Sequence, residues 1–582
     1  MPHDESDSAP TTSDTSVTSV ASDAWVTSVA EPSETAYGLA LRVVQQLWLA
    51  GVRDVVLAPG SRSAPLALVL DAADEDGALR LHVRVDERSA GFLALGLTTG
   101  SRRPVAVVTT SGTAVGNLLP AVMEAHHTAR RLVVVSADRP DRLRGTGANQ
   151  TTQQAGIFGV FALAHDLTSA VLPGELAAVV AAACAGPGPA QLNLQLDGDL
   201  LPPDHERETW WRRPEPAAEP APAAPVRPGG AQRAVLTLGP RTVVVAGDGA
   251  GPAARLLAES ANWPLVAEPT SGARIGRQAI RTGRLLLTTP LRHEIERVVV
   301  VGHPTLSRPV TSLLSDPALE VLAVRGPDGV ATDPGRVATV LDAVPTVEGP
   351  DDRAWFDAWR TADDLLGRLI DDGLPDGSPL AVAAVVGRAV VGHATLVVGS
   401  SNPVRDLDVM ASPWTPHEHR FVVGNRGLAG IDGLVSTAVG VALGRPGASR
   451  TIAFLGDLTF VHDANGLVIG PHERRPNLTL VVLSDDGGAI FSTLEQGDSR
   501  YASAFERVFA TPHGTDLGTL CAAHHTPHER VTDLGRLAEA LDEQPTGIRV
   551  LEVAVSRQHR RDEAAWLRRL ALRVVPHRGE QR

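Results

Sequence analysis

The residues with the clearest chemical potential are Gly456-Asp457 and, 28 positions after the aspartate, Asp485 in the run S-D-D-G-G. Asp457 follows the apolar run T-I-A-F-L, Asp485 follows L-T-L-V-V-L, and a helix-length segment carrying Asn465 lies between them. A strand, an acidic turn, a helix, a second strand and a second acidic turn can bring two carboxylates to neighbouring strand ends of a parallel sheet. Carboxylates and backbone carbonyls are the hard oxygen donors that Mg²⁺ takes, and the ion also accepts diphosphate oxygens. Mn²⁺ accepts the same donors. The Gly487 carbonyl is a third candidate ligand, and the glycines beside it allow close backbone approach to phosphates. Asp486 competes with Asp485 for the same role. Each turn alone is an ordinary turn; their spacing and shared context point to metal and diphosphate.

A second set of residues suits anionic ligands. The sequence contains no lysine, so all 53 basic side chains are arginine, against 67 acidic ones and a net charge of −14. Without lysine there is no Schiff-base chemistry, no pyridoxal phosphate aldimine and no G-K-[ST] phosphate loop. The acidic balance argues against general nucleic-acid binding, which needs a basic face. Several arginines sit in polar runs: Arg62 in P-G-S-R-S, Arg139 in A-D-R-P, Arg308 in L-S-R-P, Arg405 in S-S-N-P-V-R-D and Arg426 in N-R-G-L-A-G. A guanidinium fork binds a carboxylate bidentately. The competing reading of any one of them, a surface ion pair worth little, is stronger for Arg308 than for Arg139 and Arg426 in their strand-end loops.

Other patterns carry less. Cys184 and Cys521 are the only cysteines, too few for a disulfide framework or a cysteine zinc site. Gly247-Asp248-Gly249-Ala250-Gly251 follows a strand but lacks the third glycine of a dinucleotide fingerprint, so it reads as a turn. The pairs His126-His127 and His524-His525 point in different directions along a helix or strand and read as solvated or capping. The amphipathic C-terminal run D-E-A-A-W-L-R-R-L-A-L-R-V-V is expected to pack on its own domain.

The elements that must hold these residues alternate. A helix pattern runs from Thr35 to a glycine stop at Gly51. Strands are expected at 55–58, 81–85, 105–109 and 132–136, with a helix over 114–127. Further strands are expected at 242–246 and 298–301, then at 395–398, 451–455, 478–483 and 549–555. The fold class is therefore α/β, with three doubly wound parallel-sheet blocks. The expected division is a disordered tail over 1–33, a first domain over 34–213, a Pro/Ala linker over 214–232, a central domain over 233–372, a third domain over 373–570 and a tail over 571–582. No basic start with an apolar run marks a secretory signal, and no apolar stretch is long enough to span a bilayer, so a cytoplasmic enzyme without membrane insertion is expected.

Taken in order, P-G-S-R-S, A-D-R-P, G-A-N-Q, L-S-R-P, S-S-N-P-V-R-D, N-R-G-L-A-G-I-D-G and G-G-A-I-F-S resemble the 2-succinyl-5-enolpyruvyl-6-hydroxy-3-cyclohexene-1-carboxylate synthases of menaquinone biosynthesis. The resemblance runs from about residue 35 to 570, with the metal and diphosphate turns falling where this thiamine-diphosphate-dependent family places them. It implies decarboxylation of 2-oxoglutarate and 1,4-addition of the resulting succinyl carbanion equivalent to isochorismate. It assigns Glu87, in V-D-E-R-S, as the acid that hydrogen-bonds the cofactor's pyrimidine ring; alone, Glu87 reads as a helix-initiating acid. It puts Gly456, Asp457, Leu458, Asp485, Gly487, Ile490 and Phe491 around the cofactor, with Ile431 as the wedge that bends it, and Mg²⁺ on Asp457, Asp485 and Gly487. Ser61, Arg62, Arg139, Asn149, Gln150, Arg308, Ser401, Arg405 and Arg426 would hold the substrates. The glutamate half and the diphosphate half are expected to meet across subunits, in a homodimer or dimer of dimers. Two departures stand out: the family usually has Asn where Asp485 stands, and often a basic residue where Ser307 stands. A pyruvate- or oxalyl-type thiamine enzyme, an FAD-containing acetolactate-type enzyme and a non-catalytic binding subunit are the rival readings.

Overall fold

The computed structural model describes residues 35–202, 207–215, 233–375, 377–416, 418 and 420–575. The expected N-terminal tail, nearly all of the Pro/Ala linker and the last seven residues lie outside them.

Short runs of β-branched and aliphatic residues form the strands, and the inner ones are buried on both faces because helices cover the sheets on each side. The first sheet has six parallel strands in the order Arg80–Val83, Asp54–Leu57, Val105–Thr109, Leu132–Asp138, Ala190–Gln195, Leu163–Leu167. The central sheet has five: Thr339–Leu341, Glu320–Val324, Arg297–Val301, Thr242–Ala246, Leu265–Ala267. The third has six: Phe421–Val423, Thr395–Val398, Thr451–Gly456, Leu478–Ser484, Ile548–Ala554, His528–Val531. A two-stranded parallel ribbon pairs Thr346–Val347 with Val235–Leu236. The α/β class and the three parallel sheets agree with the sequence reading. In the third sheet the chain moves to one side after Thr395–Val398 and returns on the other at Thr451–Gly456. That reversal opens a crevice at the carboxyl ends of these two strands, the usual ligand position in open α/β sheets.

Local signals explain the boundaries. Thr35 caps the first helix, Ala36–Leu49, by accepting from the Gly38 amide at 3.0 Å. The expected helix over 114–127 is two pieces, Thr113–Gly116 and Leu119–His127, with Pro120 starting the second. Edge strands such as Leu163–Leu167 escaped the sequence reading because their partly exposed L-A-H-D-L lacks an apolar run. The last helix, Arg560–Val574, passes the boundary expected at 570 and packs against Arg353–Asp372 of the central domain, not on the third domain alone.

The first and third domains meet through one close helix pair, Glu87–Ser101 against Leu434–Gly444. Gly96 and Gly100 face Gly440 and Gly444, four residues apart on each helix and so on one face of each. A Cβ on Gly96 would stand 2.2 Å from the Thr437 carbonyl oxygen, and one on Gly440 would stand 2.2 Å from that of Leu93. Gly440→Val is expected to lower the thermal unfolding midpoint, since overpacking costs about 1–3 kcal/mol. A melting curve followed by circular dichroism checks this; an unchanged midpoint would show that the two helices can separate freely.

Candidate functional site

A cavity of about 330 Å³ occupies the crevice of the third sheet. Its walls include Ser401, Arg405, Arg426, Ile431, Gly456, Asp457, Leu458, Asp485, Gly487, Ile490 and Phe491, residues expected from four separate stretches of sequence. Strand ends explain the convergence: Ser400-Ser401 follow Thr395–Val398, Asp457 follows Thr451–Gly456, and Asp485 follows Leu478–Ser484.

Asp457 is buried, and its carboxylate ties two strand ends together. Oδ1 accepts from the Leu458 amide at 2.6 Å, and Oδ2 from the Asp485 amide at 2.9 Å and the Gly487 amide at 3.3 Å. Gly487 has φ +150°, and a Cβ there would stand 2.3 Å from the Ala510 carbonyl oxygen, so the turn requires glycine. Asp485 lines the cavity, and its carboxylate has no hydrogen bond or ion pair among the described residues. Burial, and then the charge of Asp457, push its carboxyl up to about 7. Asp486 is excluded as an inward ligand: it is exposed, and its Oδ1 accepts from the amides of His513 and Gly514 at 3.1 and 2.9 Å.

This donor set fits a divalent cation. Two carboxylates at adjacent strand ends, one of them without a protein partner, present hard oxygens to the same space. No group of three His, Cys, Asp or Glu side chains among the described residues forms a cluster of its own. Cavity space and a bound diphosphate would have to supply the remaining ligands, as Mg²⁺ commonly arranges.

The opposite wall is cationic. The Arg405 Nη1 donates to the Ser401 carbonyl at 2.7 Å, and burial, with Arg426 and Arg284 nearby, lowers its pKa to about 10. Arg426 is buried, donates through Nη2 to Thr305 Oγ1 at 3.0 Å and leaves Nε unpartnered. Crowded guanidiniums of this kind favour an anion between them. Ser401 adopts φ +75°, ψ −137°, a region costly for a residue with a Cβ, and it opens the helix Asn402–Met410 at the cavity.

Several participants carried no local sequence signal. Glu124, on the first-domain helix Leu119–His127, is buried and accepts from the Gly427 and Leu428 amides at 2.7 and 2.8 Å. It thus holds the loop that bears Arg426. Glu268 of the central domain accepts from the Leu306 amide at 2.8 Å, and burial raises its carboxyl to about 8. The His513 Nε2 lies 3.4 Å from Asp457 Oδ2. Arg560 lines the cavity and pairs with Asp406 at 2.7 and 3.0 Å. These contacts join residues far apart in sequence, which no spacing rule could anticipate.

The remaining expected residues lie elsewhere. Arg308 does not line the cavity; it is 71 % exposed at the side chain and pairs with Glu495 at 2.5 Å, the surface ion pair that the sequence allowed. Ser61, Arg62, Arg139, Asn149 and Gln150 belong to first-domain loops. Arg139 Nη1 donates to Ser111 Oγ at 2.6 Å and to the Gln150 carbonyl at 2.8 Å, and Arg62 Nη1 donates to the Leu196 carbonyl at 3.0 Å. Ser61, Asn149 and Gln150 are exposed. Glu87 is the first residue of its helix, behind the cap Asp86, and its Oε2 receives Asn117 Nδ2 at 3.5 Å. None of this first-domain group lines the third-domain cavity. The decoys stay structural: Gly247-Asp248 forms a bridge with His303, and His126 Nδ1 contacts the Phe161 carbonyl at 3.1 Å.

Comparisons with known proteins bear on the family and the fold. Residues 39–157 match the family described as thiamine pyrophosphate enzyme, N-terminal TPP binding domain. A 2-succinyl-5-enolpyruvyl-6-hydroxy-3-cyclohexene-1-carboxylate synthase from a Nocardioides species is 50% identical over 91% of this chain and 97% of its own length. One with the same name from an Arthrobacter species is 44% identical over 94% of this chain and 92% of its own. Among solved structures, benzoylformate decarboxylase from Polynucleobacter necessarius superposes with a TM-score of 0.58 at 16% identity, covering 90% of this chain and 99% of that one; this likeness concerns the fold.

The Glu124 clamp yields an expectation about the cationic wall. Glu124→Gln keeps the shape but turns one acceptor into a donor facing an amide, which loosens the Arg426 loop. Dicarboxylate binding, measured by calorimetry, should weaken about tenfold, equivalent to about 1.4 kcal/mol. Unchanged affinity would mean that the loop holds itself.

Proposed function

Because the chain belongs to the 2-succinyl-5-enolpyruvyl-6-hydroxy-3-cyclohexene-1-carboxylate synthase family, we propose that it condenses 2-oxoglutarate with isochorismate, releasing CO₂, in menaquinone biosynthesis. It is a thiamine-diphosphate-dependent enzyme of the transferase type. The observation that carries the reading is one cavity with carboxylates suited to a metal–diphosphate on one wall and Arg405 and Arg426 on the other. Both substrates are dicarboxylates, and a pyruvate-type reaction would not call for this density of guanidinium.

Asp457, Asp485 and the Gly487 carbonyl would hold Mg²⁺, with Mn²⁺ as an alternative, and Gly456 and Leu458 would border the diphosphate that the ion helps to bind. Ile431, Ile490 and Phe491 give the cofactor an apolar seat that excludes water and strengthens the electrostatics inside. Bound thiamine diphosphate supplies a carbon that accepts the electron pair released when CO₂ leaves and returns it in the new carbon–carbon bond. Glu87 holds a hydrogen bond to the pyrimidine nitrogen and so shifts the proton at the exocyclic amine. Arg405 and Arg426, joined by Arg62, Arg139 and Arg308, clamp the substrate carboxylates, and Ser61, Asn149, Gln150 and Ser401 orient their oxygens.

In one chain, Glu87 and the first-domain polar group sit apart from the Asp457 cavity, which supports a homodimer, or a dimer of dimers, in which each site takes its two halves from different subunits. The small soluble substrates ask for neither nucleic acid nor membrane. No helix among the described residues is long and apolar enough to cross a membrane, which is compatible with the cytoplasmic setting read from the sequence.

The test is turnover of 2-oxoglutarate and isochorismate with thiamine diphosphate and Mg²⁺, followed by isochorismate loss and CO₂ release. Activity with pyruvate but not 2-oxoglutarate would overturn the substrate assignment. Glu87→Gln should lower turnover at least about a hundredfold while cofactor still binds; an unchanged rate removes Glu87 from the mechanism. The raised Asp485 carboxyl makes a further expectation. Below about pH 7 it carries a proton that the metal must displace, so Mg²⁺ affinity of the cofactor-free protein should fall as pH drops through about 7. Asp485→Asn should flatten that dependence, and an identical pH profile in the variant would remove Asp485 as its cause.

A further inference from the structure

A second cavity, of about 340 Å³, lies between the first and third domains. It is lined by Arg80, Arg445, Arg450, Arg474 and Arg475, with His82, and by no aspartate or glutamate. Such a convergence is unexpected in a chain whose acids outnumber its arginines by 67 to 53. The cavity opens at the amino ends of Thr451–Gly456 and Leu478–Ser484, whose carboxyl ends carry Asp457 and Asp485. At about 3.3 Å per residue, roughly 20 Å of strand separates it from the site already described.

Carboxylates behind the wall hold part of this charge. Asp54 takes Arg80 at 2.6 and 2.8 Å, Asp74 takes Arg474 at 2.7 Å, and Asp542 takes Arg450 at 3.3 Å. Arg445 and Arg475 have no carboxylate partner among the described residues. Arg445 Nε donates to Thr395 Oγ1 at 3.2 Å while its guanidinium lies 4.3 Å over the Phe421 ring, and Arg475 Nη2 donates to the Ile469 carbonyl at 2.7 Å. Each donates one hydrogen bond to a neutral oxygen, which leaves its other N–H groups uncommitted. His82 is buried, its Nε2 lies 3.0 Å from Asp54, and its Nδ1 has no partner. Two guanidiniums without a carboxylate partner, set beside three that have one, suit a compact anion with several acceptor oxygens and about two charges, which describes a phosphate group better than a single carboxylate.

We propose that this cavity binds a small phosphate-type oxyanion, free or as part of a larger molecule, and thereby bridges the first and third domains away from the substrate site. The inference does not depend on which substrates the enzyme uses. The test titrates inorganic phosphate into the full-length protein saturated with thiamine diphosphate and Mg²⁺, so that the diphosphate site is occupied. The melting temperature should rise saturably by several degrees, beyond any change with sodium chloride at matched ionic strength. The double variant Arg445→Gln/Arg475→Gln should lose the shift. Should that variant fold poorly, Arg474→Gln, whose side chain is 44% exposed, should still weaken phosphate binding at least fivefold by calorimetry. No shift beyond the salt control, an equal shift in the double variant, unweakened binding in Arg474→Gln, or an equal shift with citrate would each overturn the proposal.

Discussion

Two carboxylates at neighbouring strand ends cannot share a buried corner cheaply, and much of the third domain is arranged around that fact. Asp457 spends both oxygens on backbone amides, which fixes the turn at 485–487 and leaves Asp485 facing open space without a partner. Like charges so close raise the cost of ionising the second acid. A divalent cation removes that cost and converts the repulsion into a binding site. The glycine at 487, the outward turn of Asp486 and the guanidinium of Arg557 on the 485 and 486 carbonyls at 2.7 and 2.8 Å all keep that corner in shape.

The cationic wall depends on every domain. Arg426 comes from the third, its guanidinium is held by Thr305 of the central domain, and its loop is held by Glu124 of the first. The central domain carries few of the residues that the family resemblance highlights, yet it also brings the buried Glu268 into the field of Arg426. The position of Arg426 is thus a property of the assembled chain, and the central domain takes part in it while lining little of the cavity.

What could be read from the sequence followed from local periodicity and turn chemistry. Buried parallel strands such as 395–398 and 451–455 are continuous apolar runs followed by polar turns, so the fold class and the turns at Asp457 and Asp485 were legible, whereas Ile431, Ile490 and Phe491 were supplied by the family resemblance alone. The edge strand Leu163–Leu167 and the broken helix at 117–118 were not, because exposure and a single proline outweigh the average pattern. Arg308 pairs with Glu495 in the single chain, a contact that its motif does not announce. Glu124 and His513 show a further limit, since their roles exist only through contacts across hundreds of residues or across a turn that bends back on itself.

The glycine-lined crossing of the helices Glu87–Ser101 and Leu434–Gly444 has a mechanical meaning in the proposed dimer. One end of the first helix carries the acid for one active site, while the domain it is bolted to carries the metal corner of the other. With backbone against backbone at the four glycines, the two helices resist sliding independently. Under that proposal each subunit would act as a rigid lever between two catalytic centres, and a displacement of Glu87 at one centre would have its counterpart at the other.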